Sequence, residues 1–508
     1  MRKLDALFVH PSDPAKVYQG LAENHSGIEP PIWAALLANH CRARNFGVNI
    51  LDTEAERISP AQAAQTIVDI DPKLVCVVVY GQQPSASSQN MESATELSKE
   101  IKKLNPDLKI LFVGPHASAL PDDVLRDEPS IDFVCQNEGV YTISQLLSVE
   151  DKDNIQYLSK VSGLGFRDKE NNIILNRISS AVSMEDMDKE LPGMAWDLLP
   201  DIKKYRTAGW HSWSNNTDKS PFGAIYTSLG CPYKCSFCMI NIINRTKQGA
   251  NVSSSDSSGI RYWSPEFIIN EFDKMAEMGI KNVKIADELF VLNPNHFMKI
   301  CDMIVERQYD FNIWAYSRID TCKPKYLDTL KNAGINWLGL GIENPSTVLR
   351  KEVHKGGYKE VRIDDVMRTM TEAGIGIAAN YIFGLPMDTE QSMKETFDFA
   401  VSNMTEMTNF YTAMAYPGSA LHLEAKRNNL VLPDRYVGYS QHSYHTTNLS
   451  NENLSSAQIL KFRDDAWMKY HTNPDYLNLL EKKYGLHARD NVLATTKIKL
   501  KRKILGDK

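Results

Sequence analysis

The chain has 508 residues, of which 43% are hydrophobic and 24% charged, and its formal net charge is −6. The length predicts about three domains, the composition is that of an ordinary globular protein, and the negative charge argues against a general nucleic-acid binder. No run approaches the roughly 18 apolar residues of a membrane span, and the N-terminus turns acidic too early for a secretory signal. The scattered cysteines outside one motif predict a reducing, cytoplasmic compartment.

Residues 1–145 alternate between strand and helix patterns. Strands are predicted at 6–9, 48–51, 74–80, 109–113 and 131–134, and helices at 32–41, 60–70 and 91–104. Such alternation is typical of a doubly wound parallel sheet, whose ligands bind at the carboxyl ends of the strands. Those ends carry Gly81-Gln82-Gln83, Gly114-Pro115-His116 and Asn137-Glu138-Gly139.

Residues 146–222 form a less regular bridge. Short runs at 161–166 and 172–175 predict a hairpin around a polar turn. Residues 206–221 are polar but contain several aromatic rings. This segment is predicted to be either an exposed connector or a loop that folds over a site.

Three cysteines in C-x-x-x-C-x-x-C spacing, Cys231, Cys235 and Cys238, follow a short strand pattern and the turn glycine Gly230. Structural zinc normally requires four protein ligands, yet no further cysteine or histidine follows before His296. A 4Fe–4S cluster on three thiolates keeps one iron open to a small molecule. The motif therefore favours an open-site iron–sulfur cluster over a zinc site.

Residues 223–420 contain about six further strand–helix repeats, which predict a partial (β/α)6 barrel of the TIM type. Its strands are predicted at 224–228, 282–286, 312–316, 337–342, 377–383 and 412–416. The active face of such a barrel lies at the carboxyl ends of its strands. The cysteine loop falls there, and so do Asp287, Glu288, Arg318, Glu343 and the turn residue Gly384, whereas Asn380 lies within the fifth strand. Residues 248–259 lengthen the first connection, either as a lid or as a surface insertion.

Residues 421–508 form a helical C-terminal extension. Helices are predicted from Ser455 to about Tyr470 and at Pro474–Tyr484. The basic tail at 497–503 is predicted to be a solvated terminus, with contact to a lipid or polyanion as the alternative.

The cysteine loop, including the aromatic Phe237 before the third cysteine, resembles that of the radical S-adenosylmethionine superfamily. The resemblance implies that the free iron of a 4Fe–4S cluster binds S-adenosylmethionine. It also implies that an electron, from a reductant such as flavodoxin or ferredoxin, releases a 5′-deoxyadenosyl radical. The turn Phe383-Gly384-Leu385-Pro386 is similar to the fifth-strand turn of the family, where Gly384 lets the adenine lie against the backbone.

This resemblance also implies roles for the polar strand ends. Glu343 is expected to bind the ribose or ammonium of S-adenosylmethionine, Arg318 its carboxylate, and Asn380 its ribose or adenine. Asp287 and Glu288 stand where the family has a glycine-rich, acid-terminated motif. The glycines are missing here, so side chains are expected to do more of the binding. The alternative for these two carboxylates is a loop or helix-cap role.

Residues 1–145 resemble the cobalamin-binding domain that precedes the radical core in one branch of this superfamily. The resemblance implies that cobalamin contacts Gly81, Gln82, Gly114, His116 and Glu138. The D-x-H-x-x-G signature, whose histidine ligates cobalt in the cobalamin mutases, is absent here. The alternatives are a flavodoxin-like domain that only packs against the barrel and, for His116, a helix-cap role.

The combined resemblance predicts a cobalamin-dependent radical S-adenosylmethionine enzyme. The expected reaction is methyl transfer to an unactivated carbon of a small molecule, lipid, glycan or peptide, by a 5′-deoxyadenosyl radical and methylcobalamin. One alternative is a cyclase or ring-rearranging enzyme of the same architecture. Others are a cobalamin-binding sensor and a methylthiotransferase with a second cluster on Cys41, Cys76 and Cys135.

Overall fold

The computed structural model describes residues 3–81, 83, 85–215, 218–249, 252–356, 358 and 361–508, in which short buried runs form two parallel sheets in tandem. Strands β1 to β7 of the first sheet are Ala6–His10, Val48–Asp52, Val75–Val78, Ile110–Val113, Phe133–Cys135, Leu164–Arg167 and Ile173–Leu175. Their order is β2-β1-β3-β4-β5-β6-β7. Strands β1 to β5 pair in parallel, which confirms the doubly wound sheet. The predicted hairpin, β6 and β7, extends this sheet in antiparallel pairing.

The described residues of this part of the chain form ten α-helices. Helices α1 to α10 are Pro14–Tyr18, Ile32–Arg42, Thr53–Glu56, Pro60–Ile70, Ala86–Leu104, Pro115–Ala119, Pro121–Asp127, Val140–Leu147, Ile155–Leu158 and Met187–Glu190. Helices α2 and α8 pack on one face of the sheet, and α4 and α5 on the other. Helix α4 begins as predicted, because Ser59 and Gln62 form a capping box. Helix α5 begins five residues earlier than predicted, where buried Ser87 and Ser88 obscure the apolar pattern.

The second sheet has the predicted six parallel strands. Strands β8 and β11 to β15 are Phe222–Ile225, Asn282–Ile285, Asn312–Arg318, Ile335–Glu343, Gly376–Phe383 and Met407–Thr412, in the order β15-β14-β13-β12-β11-β8. Strands β9 (Ser228–Cys231) and β10 (Gly259–Tyr262) form a separate antiparallel pair. Helices α11 to α17 are Pro265–Glu277, Pro294–Arg307, Pro324–Asn332, Thr347–Glu352, Ile363–Glu372, Glu390–Ser402 and Ala420–Arg427.

The prediction of the sixth barrel strand at 412–416 is wrong. The strand is Met407–Thr412, in which buried and half-buried residues alternate. Polar Thr408 and Asn409 hide this strand from an apolar pattern, whereas the apolar run that follows is a buried loop without ladder pairing.

The C-terminal extension consists of helices α18 to α20, Ser456–His471, Pro474–Tyr484 and Leu486–Thr496. The first two are confirmed, and Ser455 caps α18 with Gln458. Helix α20 is not predicted, because few of its residues are buried. Arg502 departs from the predicted solvated tail: it is fully buried and pairs with Asp464 at 2.9 Å. In the described ranges, the helices include none that is both long and apolar enough to cross a membrane.

Candidate functional site

The first motif cysteine is the last residue of strand β9, and Gly230 just before it fixes how β9 meets β10. Cys231 lies opposite Gly259 in this pair. Gly230 has a φ of 92°, and a Cβ on it would lie 2.5 Å from the Gly259 carbonyl oxygen. Only glycine permits this approach. Gly230 is therefore a pairing residue within a strand, not the turn glycine that was predicted.

The buried side chain of Asn241 holds the backbone of Cys231 from both sides. The Cys231 N–H donates to Asn241 Oδ1 at 3.2 Å, and Asn241 Nδ2 donates to the Cys231 carbonyl at 2.9 Å. Ser254 and Ser257 contact Asn241 as well, at 2.9 and 3.2 Å. These serines belong to the segment 248–259, predicted to be either a lid or a surface insertion, of which residues 250 and 251 lie outside the described ranges. No sequence signal indicated Asn241.

The three motif thiols fit the donor set of an open iron–sulfur cluster. All three are free; Cys235 is buried and Cys231 and Cys238 are half-buried. Burial raises the pKa of Cys231 to about 11 and also raises that of Cys235, where neighbouring Lys355 and Arg318 act in the opposite direction. Metal ligation requires thiolates, which these two cations stabilise. Within the described residues, no three His, Cys, Asp or Glu side chains lie close enough together to hold one metal ion.

Glu343 and Lys355 form a buried ion pair beside this loop, with Oε1 and Nζ 2.6 Å apart. Glu343 ends β13 with a φ of 63°, a conformation that is strained for a residue other than glycine and frequent at functional sites. The register with β14 shifts between Gly341 and Glu343, and such irregularities re-aim a side chain. Besides burial, which raises the pKa of the Cys235 thiol, Lys355 lowers this pKa and Glu343 raises it. Glu343 was predicted as a ligand; Lys355 was not, because it lies in a loop without a motif.

Arg318 at the end of β12 packs directly on the cysteine loop. Its guanidinium carbon lies 3.8 Å from the ring centroid of Tyr233, in a cation–π contact. Arg318 also pairs with Asp320 at 2.9 Å and donates to the Lys355 carbonyl at 2.6 Å. Arg318, which was predicted to bind the carboxylate of S-adenosylmethionine, thus lies beside the cysteine loop.

The two carboxylates after β11 differ in their surroundings. Asp287 accepts hydrogen bonds from the Thr227 N–H and hydroxyl at 2.5 and 2.6 Å and from the Ser228 hydroxyl at 2.6 Å. Asp287 therefore ties β11 to the start of β9. Burial, together with Asp287, raises the pKa of Glu288 to about 8. Burial, and secondarily the Glu288 carboxylate, raises the pKa of the Cys238 thiol. Of the two carboxylates, Glu288 is therefore the one that faces the cysteines.

The remaining residues predicted to bind S-adenosylmethionine lie around the fifth barrel strand. A Cβ on Gly384, whose φ is 75°, would lie 2.6 Å from Ile459 of helix α18. The absence of a side chain at Gly384 therefore allows this helix to pack against the strand end. Asn380 accepts a hydrogen bond from Asn409 at 3.0 Å. Phe237 packs against the apolar cluster at this strand end. Their contacts with S-adenosylmethionine stay predictions.

Two of the residues predicted to contact cobalamin are glycines that shape strand ends of the first sheet. A Cβ on Gly81 would lie 2.2 Å from that of Ala86, and one on Gly114 would lie 2.2 Å from the Val79 carbonyl oxygen. Both positions therefore require glycine for the local packing. Gln82, also predicted, lies outside the described residues.

His116 and Glu138 are buried in contacts within the protein. His116 Nδ1 is 3.0 Å from the Ser88 hydroxyl, and burial lowers its pKa to about 3, which keeps it neutral. Glu138 pairs with Arg261 of β10 at 2.8 Å. Glu138 thereby connects the first sheet to the strand pair that carries Cys231. Its predicted contact with cobalamin remains a prediction.

A cavity of about 870 Å³ lies between the first sheet, the barrel interior and the C-terminal extension. Its lining includes Gln83, which follows β3, and Gln89 of helix α5, Trp314, Tyr316, Ala378 and Asn380 from the barrel, and Gln441 and Trp467 from the extension. The loop at 206–221 adds Trp210 and Trp213, so these rings are not an exposed connector; residues 216 and 217 lie outside the described ranges. The part of the cavity next to the N-terminal domain, with the amides of Gln83 and Gln89, fits an amide-bearing cofactor such as cobalamin.

The three N-terminal cysteines offer no second cluster site. Cys41, Cys76 and Cys135 are fully buried in the apolar core. Burial raises the pKa of Cys41 to about 12 and raises the other two as well. They are packed as small apolar side chains, which argues against the methylthiotransferase alternative.

Sequence comparison matches both sheets to known families. Residues 18–147 match the B12 binding domain, and residues 225–400 match the radical SAM superfamily. The chain is 28% identical over 451 residues to an uncharacterized methyltransferase of Pyrococcus horikoshii, covering 88% of this chain and 89% of that protein. It is 22% identical over 471 residues to the anaerobic magnesium-protoporphyrin IX monomethyl ester cyclase of Cereibacter sphaeroides, covering 89% and 68%.

Solved structures share the fold across nearly the whole chain. The radical S-adenosylmethionine methyltransferase TsrM from Kitasatospora setae, with cobalamin and a [4Fe-4S] cluster bound, has a TM-score of 0.66 at 17% identity over 98% of this chain and 99% of that one. OxsB, with aqua-cobalamin and S-adenosylmethionine bound, has a TM-score of 0.68 at 16% identity over 97% and 72%. At these identities the likeness is one of fold.

Proposed function

Because the chain belongs to the radical S-adenosylmethionine superfamily, in the branch with an N-terminal B12-binding domain, we propose that it is a methyltransferase acting on an unactivated carbon. The observation that carries this proposal is the shared cavity of about 870 Å³, which residues of both the N-terminal domain and the barrel line. A substrate in this cavity contacts both domains at once, and such positioning lowers the barrier of a two-centre reaction.

The cofactors of this enzyme are a 4Fe–4S cluster, S-adenosylmethionine and cobalamin, which when bound supply a 5′-deoxyadenosyl radical and a transferable methyl group. The residues Cys231, Cys235 and Cys238 would ligate the iron. The amino-acid end of S-adenosylmethionine carries one ammonium and one carboxylate. Glu343 and Lys355 have the complementary charges beside the cysteine loop, so we assign the ammonium to Glu343 and the carboxylate to Lys355.

The protein also shields the substrate cavity from water and leaves part of the cysteine loop accessible. Rings of Trp314, Tyr316 and Tyr411 line the cavity and exclude water that would quench a radical. Pro232 and Lys234 of the cysteine loop are exposed. A reductant such as flavodoxin or ferredoxin would approach the cluster over this exposed part of the loop, in the reducing cytoplasm that eight free cysteines suit.

A second candidate is radical cyclisation or ring rearrangement, which the similarity to a cyclase over 89% of this chain supports. Both reactions cleave S-adenosylmethionine to 5′-deoxyadenosine. Only the methyltransferase also moves the methyl group of S-adenosylmethionine onto cobalamin.

The experiment that separates the two uses S-adenosylmethionine with a deuterated methyl group and the anaerobic, reduced holoenzyme. We expect 5′-deoxyadenosine together with the labelled methyl on extracted cobalamin, both measured by mass spectrometry. The variant Cys235→Ala should lose 5′-deoxyadenosine, whereas Cys322→Ala, a buried cysteine outside the motif, should retain it. Formation of 5′-deoxyadenosine without label on cobalamin would favour the cyclase, and the absence of both products would overturn the proposal.

A further inference from the structure

The cavity extends into the barrel interior because two neighbouring strands carry small residues there. Gly339 of β13 and Ala378 of β14 line it, together with Met407 at the start of β15. A Cβ on Gly339 would already lie 2.8 Å from the Tyr316 ring. The space between the strands is therefore left open by small side chains. We call this space, lined by Trp210, Trp314, Tyr316, Gly339, Ala378 and Met407, the lumen chamber.

Aromatic rings held in fixed orientations form the wall of the lumen chamber. The Trp314 ring lies 5.1 Å from Trp210 and 4.9 Å from Tyr316, in both cases edge to face. Trp337, fully buried behind Trp210, contacts it at 5.2 Å. Because these rings brace one another, they present rigid flat surfaces, and flat ligand rings pack on such surfaces with extra stabilisation.

The charged side chains around the whole cavity are already paired within the protein. The pairs are Lys284–Glu29, Lys461–Asp465, Lys499–Asp507 and Arg502–Asp464, at 2.8, 2.7, 3.5 and 2.9 Å, and Arg463 shares Asp464 with Arg502 at 2.6 Å. Lys284 also lies 4.9 Å above the Trp314 ring. The Lys284–Glu29 pair is buried beside Trp314, so a ligand carboxylate or phosphate at this ring would have to break that pair or remain unpaired, and either outcome is costly.

Neutral hydrogen-bonding groups complete the lining. Asn380 and Asn409 bond to each other at 3.0 Å, and both line the cavity near the phenol of Tyr411. Amide and phenol groups can donate and accept hydrogen bonds without a charge on the ligand. They therefore suit a ligand with neutral N–H or carbonyl groups.

The lumen chamber reaches the cysteine site along one barrel strand. Tyr316 of the chamber and Arg318, which stacks on Tyr233 of the cysteine loop, are two residues apart on β12. Residues at this spacing share a face of a strand and lie roughly 7 Å apart. A molecule held against Tyr316 therefore lies about one such spacing, roughly 7 Å, from the end of β12 that contacts the cysteine loop.

Resting on the proposed function, we propose that the substrate is a flat, uncharged aromatic or heteroaromatic molecule whose ring lies against Trp314 in the lumen chamber. The rigid rings favour a flat partner over an open aliphatic chain. The paired charges disfavour a carboxylate or phosphate on the part of the substrate that enters the chamber.

Equilibrium dialysis of the anaerobic holoenzyme against three probes tests this class. The probes are indole, indole-3-acetate, which adds a carboxylate to the same ring, and decanol, which is apolar but not aromatic. Indole should bind saturably, and the other two at least about 10-fold more weakly. Equal or tighter binding of indole-3-acetate or decanol, or no saturable binding of indole, would overturn the proposal.

Two variants locate the probe. Ala378→Leu adds apolar volume to the chamber while leaving every ring in place, and it should abolish indole binding. Trp314→Leu should weaken indole binding about 10-fold. Trp196→Leu is the matched control, because Trp196 bonds to Glu271 away from the cavity, and it should bind indole as the wild type does. Thermal unfolding of each variant establishes that it is folded.

Dialysis requires no turnover, so its outcome is separable from the proposed reaction. Selective indole binding by an enzyme that transfers no methyl label would overturn the methyltransferase proposal and leave the substrate class. Label transfer without selectivity for the ring, or unchanged indole binding in Ala378→Leu, would overturn the substrate class alone.

Discussion

The Glu138 carboxylate of the B12-binding domain forms a bidentate ion pair with the Arg261 guanidinium of strand β10, with contacts of 2.8 and 3.3 Å. Arg261 lies opposite Leu229 in the β9–β10 pair, two residues before Cys231. Asn137, next to Glu138, also donates to the Arg245 carbonyl at 3.0 Å. The turn after β5 therefore joins the B12-binding domain to the segment that carries the cluster cysteines.

Replacing Glu138 by Gln tests this junction. The change keeps the shape of the side chain but leaves Arg261 as an uncompensated buried charge, so the free energy of unfolding should fall by about 3–5 kcal/mol. Denaturant unfolding measures the loss. The control is Glu100→Gln, which removes a surface pair with Lys103 and should change stability by less than about 1 kcal/mol. Equal stability of the Glu138 variant and the wild type would contradict a structural role for the pair.

Asn241→Ala removes the two hydrogen bonds that the Asn241 side chain makes with the Cys231 backbone. Two half-buried backbone groups then lose their partners, which costs up to about 1–3 kcal/mol each, and the first ligand becomes misplaced. We expect less iron per chain and a broadened electron paramagnetic resonance signal of the reduced cluster. Asn428→Ala, at an exposed asparagine after α17, should show neither change. Full iron loading with an unchanged signal in Asn241→Ala would show that these hydrogen bonds do not position the cluster.

The Glu343–Lys355 pair is expected to recognise the amino-acid end of S-adenosylmethionine. Glu343→Gln and Lys355→Met should each weaken binding of S-adenosylmethionine at least about 10-fold, because a desolvated charge loses its partner. Equilibrium dialysis on protein of known iron content measures this, and Lys355→Arg should restore part of the affinity. The assignment fails if both neutral variants bind S-adenosylmethionine as the wild type does while retaining iron.

His116 makes stability depend on pH in a defined window. Burial, and secondarily His422, lowers the pKa of His116 from its ordinary value of 6.5 to about 3. Between these values the unfolded chain binds a proton here and the folded protein does not, so the free energy of unfolding falls as the pH falls. His116→Gln should reduce this slope by about 1.4 kcal/mol per pH unit. Identical slopes for His116→Gln and the wild type would rule out a buried neutral histidine at this position.

Local patterns were sufficient for most of the fold. Buried β-branched runs such as Val75–Val78 and the capping box at Ser59 can be recognised within a few residues. The sixth barrel strand was misplaced because its buried positions include Thr408 and Thr412, whose polarity conceals the alternation.

The site was only partly accessible to the same reasoning. The cysteines form a local motif, and Glu343 is a charge at the end of an apolar strand. Lys355 and Asn241 act through contacts that exist only after folding. The ion pair of Glu138 with Arg261 joins residues 123 positions apart, which no local pattern of one sequence reveals.

Metal analysis of protein purified anaerobically with cobalamin supplied measures whether one chain carries both cofactors. About four irons and one cobalt per chain are expected. Cys235→Ala should lose the iron and retain the cobalt, and Cys322→Ala should retain both. Iron without cobalt would contradict cobalamin-dependent methyl transfer, and cobalt without iron in the wild type would contradict the radical core.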